Sequence, residues 1–311
     1  MNRAPMPTRQ GSFRLFRIGG FDVFLHWSWF LVAYYEITYG GLGHYQSRAY
    51  SVLEYLSLFL IVVLHEFGHA LACRSVGGEA NQIVLWPLGG VAYVAPPPRP
   101  GATLWTIAAG PLVNVALIPI IYAITIVARK SGLVEAHPDL LIYFFALRWI
   151  NRGLLFFNLL PVYPLDGGQI LRSLLWFPFG RARSLLISSV VGFAGVIVLF
   201  VCALFGESIW LGIVCIFLLM QCWTGLVRAR GMARVADAPR RAGAACPSCR
   251  AAPPMGEFWK CPRCRHTFDM FSAPGVCPIC NAQFSGTPCF ECGRSSPLKD
   301  WLPSSSTTID I

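Results

Sequence analysis

The sequence predicts an α-helical polytopic membrane protein with about six transmembrane helices, followed by a small cysteine-rich domain. Hydrophobic residues make up 55% of the 311 residues and charged residues only 13%, whereas about a quarter of the residues of a soluble domain are charged. The apolar excess ends near residue 226, and eight of the twelve cysteines follow it. This composition excludes an ordinary soluble domain and a disordered chain.

Six apolar windows are about as long as a helix that crosses a hydrocarbon core of about 30 Å. If the N-terminus is cytosolic, 14 arginines fall on the cytosolic side and three Arg or Lys residues on the other, so both termini are expected to be cytosolic. The first window follows four arginines without a cleavage site, so we expect it to stay as an anchor. The windows are residues 21–37, 52–73, 102–127, 140–162, 184–205 and 208–226.

Two features interrupt this simple pattern. Residues 82–94 form two short runs rich in β-branched and aromatic residues around Gly89 and Gly90, which predicts a short membrane-associated β-hairpin. A plain interfacial loop is the alternative. The fourth window carries Arg148 and Arg152 one turn apart, which is costly in a bilayer unless they face protein or water. Alternatively, that span begins later.

The second window contains the motif His65-Glu66-Phe-Gly-His69. Two histidines four residues apart lie on one helix face and can bind a single Zn²⁺, while the adjacent Glu66 approaches the water. Residue frequencies predict only about 0.003 such motifs per chain by chance. The alternative, two core histidines beside an unrelated glutamate, is poor because ionisable groups within a span are rare.

A catalytic zinc takes three protein ligands, so one more donor is required. Asp166 follows the run Asn158-Leu-Leu-Pro-Val-Tyr-Pro-Leu and precedes two glycines. The prolines and glycines interrupt a helix and let a carboxylate project into a cavity. The second and fourth windows cross in the same direction, which brings Asp166 to the depth of the histidines. A helix N-cap just outside the membrane is the other interpretation.

These residues resemble the site-2 proteases, a family of intramembrane zinc metalloproteases. The resemblance covers about residues 20–175 and rests on four motifs in order. It implies an enzyme in a prokaryotic cytoplasmic membrane that hydrolyses a peptide bond in or near a transmembrane helix of a membrane-anchored protein, with Glu66 activating a zinc-bound water. The motifs are HEFGH at 65–69, LGG at 88–90, GPLVN at 110–114 and NLLPVYPLDGG at 158–168.

The resemblance also implies that Asn158 binds substrate, while Asn114 is expected to form a hydrogen bond between helices. A substrate helix must unwind before cleavage, and the hairpin at Gly89 and Gly90 could pair with the extended segment. The segment 74–101 is too short for the PDZ domain that many relatives carry, so regulation through such modules is not expected.

Four C-x-x-C pairs in series mark the C-terminal domain, a strong signature for zinc because two pairs complete a tetrahedral site. Disulfides are disfavoured on a reducing side of the membrane. Two cytosolic zinc ribbons with two structural zinc ions are therefore expected, in addition to one catalytic zinc. Sequential pairing assigns Cys246, Cys249, Cys261 and Cys264 to one site, and Cys277, Cys280, Cys289 and Cys292 to the other.

The predicted domains are a basic cytosolic segment (1–20), a metalloprotease domain (21–230), a linker (231–244), two ribbons (245–270 and 275–294) and a polar tail (295–311). We expect the ribbons to bind a cytosolic protein partner, and nucleic acid is less suitable because their charge is mixed. The alternative function is a catalytically silent membrane adaptor. The presence of Glu66 and all three ligand candidates favours the enzyme.

Overall fold

The computed structural model describes residues 11–39, 41–86, 89–206 and 209–302. The predicted basic segment and polar tail lie partly outside these residues. The helices are α1 (Trp29–Tyr39), α2 (Arg48–Ser75), α3 (Pro100–Lys130), α4 (Leu133–Ala136), α5 (Pro138–Leu159), α6 (Asp166–Phe205) and α7 (Ile209–Asp237). The strands are β1 (Ser12–Ile18), β2 (Phe21–His26), β3 (Glu79–Trp86), β4 (Gly89–Ala95), β5 (Trp259–Lys260), β6 (Thr267–Phe268), β7 (Gly286–Pro288) and β8 (Ser295–Pro297).

Among the described residues, four helices are long and apolar enough to cross a membrane: α2, α3, α5 and α6. They account for the second to fifth predicted windows. Helix α6 is 40 residues long and breaks at Gly180, whose positive φ of 75° suits a residue without a side chain. The sixth window begins at residue 208, outside the described residues, and continues in α7.

The first predicted window is wrong as a transmembrane helix. Residues 21–26 form strand β2, and α1 has 11 residues, which span only about 16 Å. Five of the six residues of β2 are buried. A short apolar run buried on both faces cannot be told from a helix by its periodicity, which explains the error.

The predicted hairpin is present, but it belongs to a larger sheet. Four strands lie in the order β1-β2-β3-β4, with β2 and β3 parallel and the other pairs antiparallel. The domain boundary predicted at residue 20 is therefore wrong, because it falls in the turn between β1 and β2. One face of the sheet packs on α2: Val23, Ile83 and Leu85 are buried in one cluster with Val62 and Ala70.

Arg74 fastens the end of α2 to this sheet. Its Nε donates to the carbonyl of Ala80, and its two terminal nitrogens donate to the carbonyls of Gly19 and Gly20 at 2.6 and 3.0 Å. Its guanidinium lies 3.5 Å from the centre of the Phe21 ring. These contacts fix the rotation of α2 about its axis, and therefore the direction in which the motif at residues 65–69 faces.

The described residues separate into two compact units. The membrane unit runs to Gly225 except for Arg181–Leu186, and the cysteine-rich unit comprises Arg181–Leu186 and the chain from Leu226 onward. The boundary between Gly225 and Leu226 lies within α7. The predicted linker at 231–244 is partly wrong, because α7 continues to Asp237. The predicted polar tail is also partly wrong: β8 and a 3-10 helix, Leu298–Trp301, belong to the cysteine-rich unit, and Trp301 is buried there. A tryptophan side chain has apolar area to bury, which draws this segment back to the domain.

Candidate metal centres

The two histidines of α2 and Asp166 meet at one point in the membrane unit. The Nε2 atoms of His65 and His69 are 3.1 Å apart. Asp166 Oδ2 lies 3.0 Å from the first and 3.3 Å from the second. Ligands of a tetrahedral zinc at bond lengths of 2.0–2.1 Å are about 3.3 Å apart, so this donor set fits Zn²⁺. Asp166 is the first residue of α6 and Leu165 is the N-cap, which argues against the N-cap interpretation.

Hydrogen bonds determine which nitrogen of each histidine faces this centre. His69 Nδ1 donates to the carbonyl of Thr106 at 2.9 Å, because a carbonyl oxygen can only accept. His69 Nε2 therefore keeps its lone pair for a metal in the neutral ring. A ligand histidine that donates through its other nitrogen has a fixed tautomer and orientation.

Two asparagines determine in the same way which nitrogen of His65 carries the proton. Asn151 Nδ2 donates to the backbone carbonyl of Asn114, and Asn114 Nδ2 donates to Asn151 Oδ1, both at 2.9 Å. These bonds leave Asn114 Oδ1 as an acceptor 2.5 Å from His65 Nδ1. His65 Nδ1 therefore carries the proton and Nε2 faces the centre. The predicted contact of Asn114 between helices thus also orients a ligand.

Gly110 of α3 provides the space for an ion. A Cβ atom at this position would collide with His69 Nε2 and lie 2.7 Å from His65 Nε2. Gly68 has a related role, because a side chain there would meet the Ala109 carbonyl of α3 at 2.8 Å. Two glycines therefore let α2 and α3 approach closely while keeping the centre open.

Glu66 is buried beside this centre, with 5% of its surface exposed. Asn158, the predicted substrate-binding residue, lies partly exposed on the last turn of α5. Gly89 and Gly90 begin β4 and pair with Trp86 and Leu85 of β3. The roles of these four residues remain predictions.

The sequence did not reveal the roles of Gly110, Thr106 and Asn151 at this centre, although the motif GPLVN contains Gly110.

The eight cysteines of the C-terminal unit form two clusters, but the predicted sequential pairing is wrong. Cys261, Cys264, Cys277 and Cys280 form an inner cluster, and Cys246, Cys249, Cys289 and Cys292 form an outer cluster. Sulfur–sulfur distances between pairs are 3.5 and 3.6 Å in the inner cluster and 3.7 and 3.8 Å in the outer one. A tetrahedral zinc with bonds of 2.3 Å separates its sulfurs by about 3.8 Å, so both clusters fit zinc.

The nested pairing follows from contacts that spacing does not reveal. Ala245 N donates to the carbonyl of Trp301 at 2.8 Å, so the start of the unit lies beside its end. Trp301 packs with Cys246 and Cys289 in one buried cluster. The Trp259 indole N–H donates to Thr287 Oγ1 at 2.6 Å, which joins the two hairpins. The first C-x-x-C pair is therefore brought to the fourth.

The four C-x-x-C turns share one backbone geometry. In each, the N–H after the second cysteine donates to the carbonyl of the first. The donating residues have left-handed φ angles; they are Arg250, Arg265, Asn281 and Gly293. Burial opposes ionisation of Cys277, but N–H groups of Cys280 and Ile279 donate to its sulfur and lower its pKa to about 6. Thiolates are the form that binds zinc.

Comparisons with known proteins find matches for the membrane unit. The model of peptidase family M50 matches residues 54–137 and 124–202. The zinc metalloprotease MJ0392 of Methanocaldococcus jannaschii is 31% identical over 206 residues, which are 66% of this chain and 58% of the relative. The putative zinc metalloprotease Rip3 of Mycobacterium tuberculosis is 32% identical over 51% of this chain and 42% of its own length.

Among solved structures, a site-2 protease from Methanocaldococcus jannaschii aligns with a TM-score of 0.50 and 28% identity, over 69% of this chain and 95% of that one. The chain spans about half the length of the curated relatives it matches.

Proposed function

The chain belongs to peptidase family M50, and from this membership we propose that it is an intramembrane zinc endopeptidase. It hydrolyses a peptide bond in or near a transmembrane helix of a membrane-anchored protein. Four helices long and apolar enough to cross a bilayer support an integral membrane protein. In this proposal both termini and the cysteine-rich unit are cytosolic.

The observation that carries this proposal is the set of three converging donors, His65 Nε2, His69 Nε2 and Asp166 Oδ2, next to a buried glutamate. Both histidines already donate through Nδ1, which prepares Nε2 for a metal. Three protein ligands leave a fourth position open, as in catalytic rather than structural zinc sites. The eight cysteines instead form closed sets of four, which suits structural zinc.

His65, His69 and Asp166 would hold the zinc ion, which would supply polarisation of the scissile carbonyl and a lowered pKa for the attacking water. Glu66 accepts the proton of that water as general base and returns it to the leaving amine. The buried position of Glu66 keeps bulk water away from this transfer. Thr106 and Asn114 hold the imidazole rings in place during the reaction, so no reorientation is required.

The substrate must be extended before cleavage, because every N–H of a helix is hydrogen-bonded within the segment. Among the described strands, β4 lies at one end of the four-stranded order, which leaves its outer edge for pairing with an extended chain. Asn158, at the end of the helix that precedes Asp166, is in this proposal a polar contact for the substrate backbone.

The cysteine-rich unit is, in this proposal, a recognition module for a cytosolic protein partner. It holds two zinc ions for stability, because a segment of this length buries little apolar area by itself. Its role is to recruit substrate or to control access to the membrane centre.

The proposal is tested by mapping new protein N-termini by mass spectrometry in membranes of cells that carry wild type or the Glu66→Gln variant. The variant is expected to keep the fold and zinc but to lose cleavage. Glu135→Gln is the matched control, because Glu135 lies exposed in α4 and should cleave as wild type does.

New termini inside transmembrane segments that require Glu66 would support the protease and identify its substrates. If purified wild type, loaded with zinc and given those membranes, produces no termini beyond those of the variant, the adaptor alternative is correct.

A further inference from the structure

Helix α5 carries two arginines in its membrane-spanning length that the proposed reaction does not use. Arg148 and Arg152 are one turn apart. Arg152 is exposed and Arg148 is partly exposed. With 22 residues, α5 is about 33 Å long, close to the thickness of the hydrocarbon core. Arg152 lies about two turns, or roughly 10 Å, before its C-terminal end. Both charges are therefore within the apolar region.

Both guanidinium groups gather around one tyrosine of α3. Their Cζ atoms lie 5.3 and 5.5 Å from the centre of the Tyr122 ring. Arg152 Nη2 donates to the Tyr122 hydroxyl at 2.5 Å. The ring quadrupole attracts each cation, but it does not neutralise two positive charges. In the part of the chain that the structure describes, no ion pair joins either arginine to a carboxylate.

The surroundings of the two arginines indicate what supplies the negative charge that balances them. The exposed large side chains of α5 recur every three or four residues and form one stripe, on which Arg152 also lies. An apolar exposed stripe on a membrane-spanning helix faces lipid. The molecule that is always present there is therefore a phospholipid. The stripe consists of Ile142, Phe145, Trp149, Phe156 and Leu159.

We propose that Arg148, Arg152 and Tyr122 form a binding site for the phosphate group of an anionic phospholipid. The planar guanidinium forks suit two phosphate oxygens, and the tyrosine orients Arg152. Arginine side chains are long enough to carry their charge several ångströms from the helix backbone toward the headgroup region. The neighbouring residue, Asn151, is in the hydrogen-bond chain that orients His65, so the lipid sits on the outer face of the helix that supports the metal centre.

The test measures anionic lipid retained by the purified full-length protein, using native mass spectrometry after release from nanodiscs. The discs contain phosphatidylcholine with or without phosphatidylglycerol. Wild type is expected to retain phosphatidylglycerol in preference to phosphatidylcholine. The variant Arg148→Gln/Arg152→Gln is expected to lose about 25-fold in affinity, since each cation near a membrane surface contributes roughly fivefold. The control Lys260→Gln/Arg263→Gln removes two exposed charges from the cysteine-rich unit, outside the membrane-spanning helices, and should retain lipid as wild type does.

Equal retention by wild type and the α5 variant would overturn the proposal, as would an equal loss in the control variant. Displacement of the lipid by inorganic phosphate alone would show a site for free anions instead. Preferential crosslinking of this cluster to a substrate helix that carries a carboxylate would assign the site to substrate. If the double variant does not fold, the milder Tyr122→Phe decides: severalfold weaker retention supports the site, and unchanged retention rejects it.

Discussion

Single atoms decide whether the membrane centre can hold an ion. The two ligand histidines are oriented by a carbonyl oxygen and by an asparagine, and a glycine leaves the space between them open. None of these three groups binds the metal itself. They illustrate that a metal site depends on the groups behind its ligands as much as on the ligands.

We expect Gly110→Ala to remove the membrane zinc. The new methyl group would occupy the position next to His65 Nε2 and His69 Nε2, where the ion must sit. Zinc per chain, measured by elemental mass spectrometry, should fall from about three to about two, and cleavage should be lost. The control is Gly153→Ala in α5, where a Cβ meets no neighbouring atom within 4 Å. A Gly110→Ala protein that still holds three zinc ions would contradict this account.

Replacing Asn114 by alanine should weaken the same zinc without removing its ligands. His65 Nδ1 would lose its acceptor, and Asn151 would lose its side-chain partner. Loss of such a supporting group typically lowers metal affinity 10–100-fold. Competition with a chelator measures the change. Asn151→Ala should act in the same direction but less strongly, because it reaches His65 only through Asn114. An affinity equal to that of wild type in both variants would exclude the proposed chain of hydrogen bonds.

The sequence brought the two candidate ligand histidines together because spacing on a helix specifies a common face. His65 and His69 are separated by one turn, so they converge in any α-helix. Asp166 was found because prolines and glycines mark a break in a membrane segment. Asn151 and the Thr106 carbonyl could not be found in this way, since their roles depend on how α3 and α5 pack against α2.

At the scale of elements, the four-stranded sheet determines how α2 is presented. The sheet buries one face against α2, and Arg74 ties the helix end to strand β3 and to the turn between β1 and β2. Strand β4 remains at one end of this sheet. The hairpin at residues 82–94 was predicted from its strand–turn–strand pattern. Its partners β1 and β2 were not, because a buried strand and an apolar helix have similar compositions.

A pair of proline variants tests whether β4 receives the substrate. In an antiparallel pair, successive N–H groups point alternately to the two edges of a strand. Of the N–H groups of Val91 and Ala92, one therefore points to β3 and the other to the outer edge of β4. Proline at the position whose N–H points outward should keep the zinc and the melting temperature of wild type but slow cleavage by about fivefold, since a hydrogen bond to the substrate contributes roughly 1 kcal/mol. Proline at the position whose N–H points to β3 removes a hydrogen bond of the sheet. This variant should therefore be less stable than wild type, and it serves as the contrast. Cleavage at the wild-type rate by the stable variant would reject pairing at this edge.

At the scale of the whole molecule, the two candidate metal sites of the cysteine-rich unit form a hierarchy. The inner cluster closes a short loop between Cys264 and Cys277, whereas the outer cluster joins Cys249 to Cys289 around the entire inner cluster. Closing a longer loop costs more conformational entropy. The outer site therefore depends on the inner one, which holds the intervening chain compact.

This hierarchy predicts an asymmetric response to loss of one ligand. Cys246→Ser should remove the outer zinc only and leave about two ions per chain. Cys261→Ser should remove the inner zinc and, because the enclosed segment then unfolds, weaken the outer one as well, leaving about one. Elemental analysis after dialysis against a weak chelator measures the zinc content of both variants. Identical zinc losses in the two variants would indicate independent sites, as sequential pairing implies.

The sequence by itself determined the class of protein, the candidate ligands of the membrane centre and eight further candidate cysteine ligands, because hydropathy and ligand spacing are local properties. Only the tertiary structure decided that residues 21–26 form a strand, that Gly110 and Asn114 complete the centre, and that the cysteines pair in a nested order. Each of these depends on contacts between segments distant along the chain, such as Ala245 with Trp301 or Asn114 with Asn151. Spacing within one segment carries no information about which distant segment will pack against it.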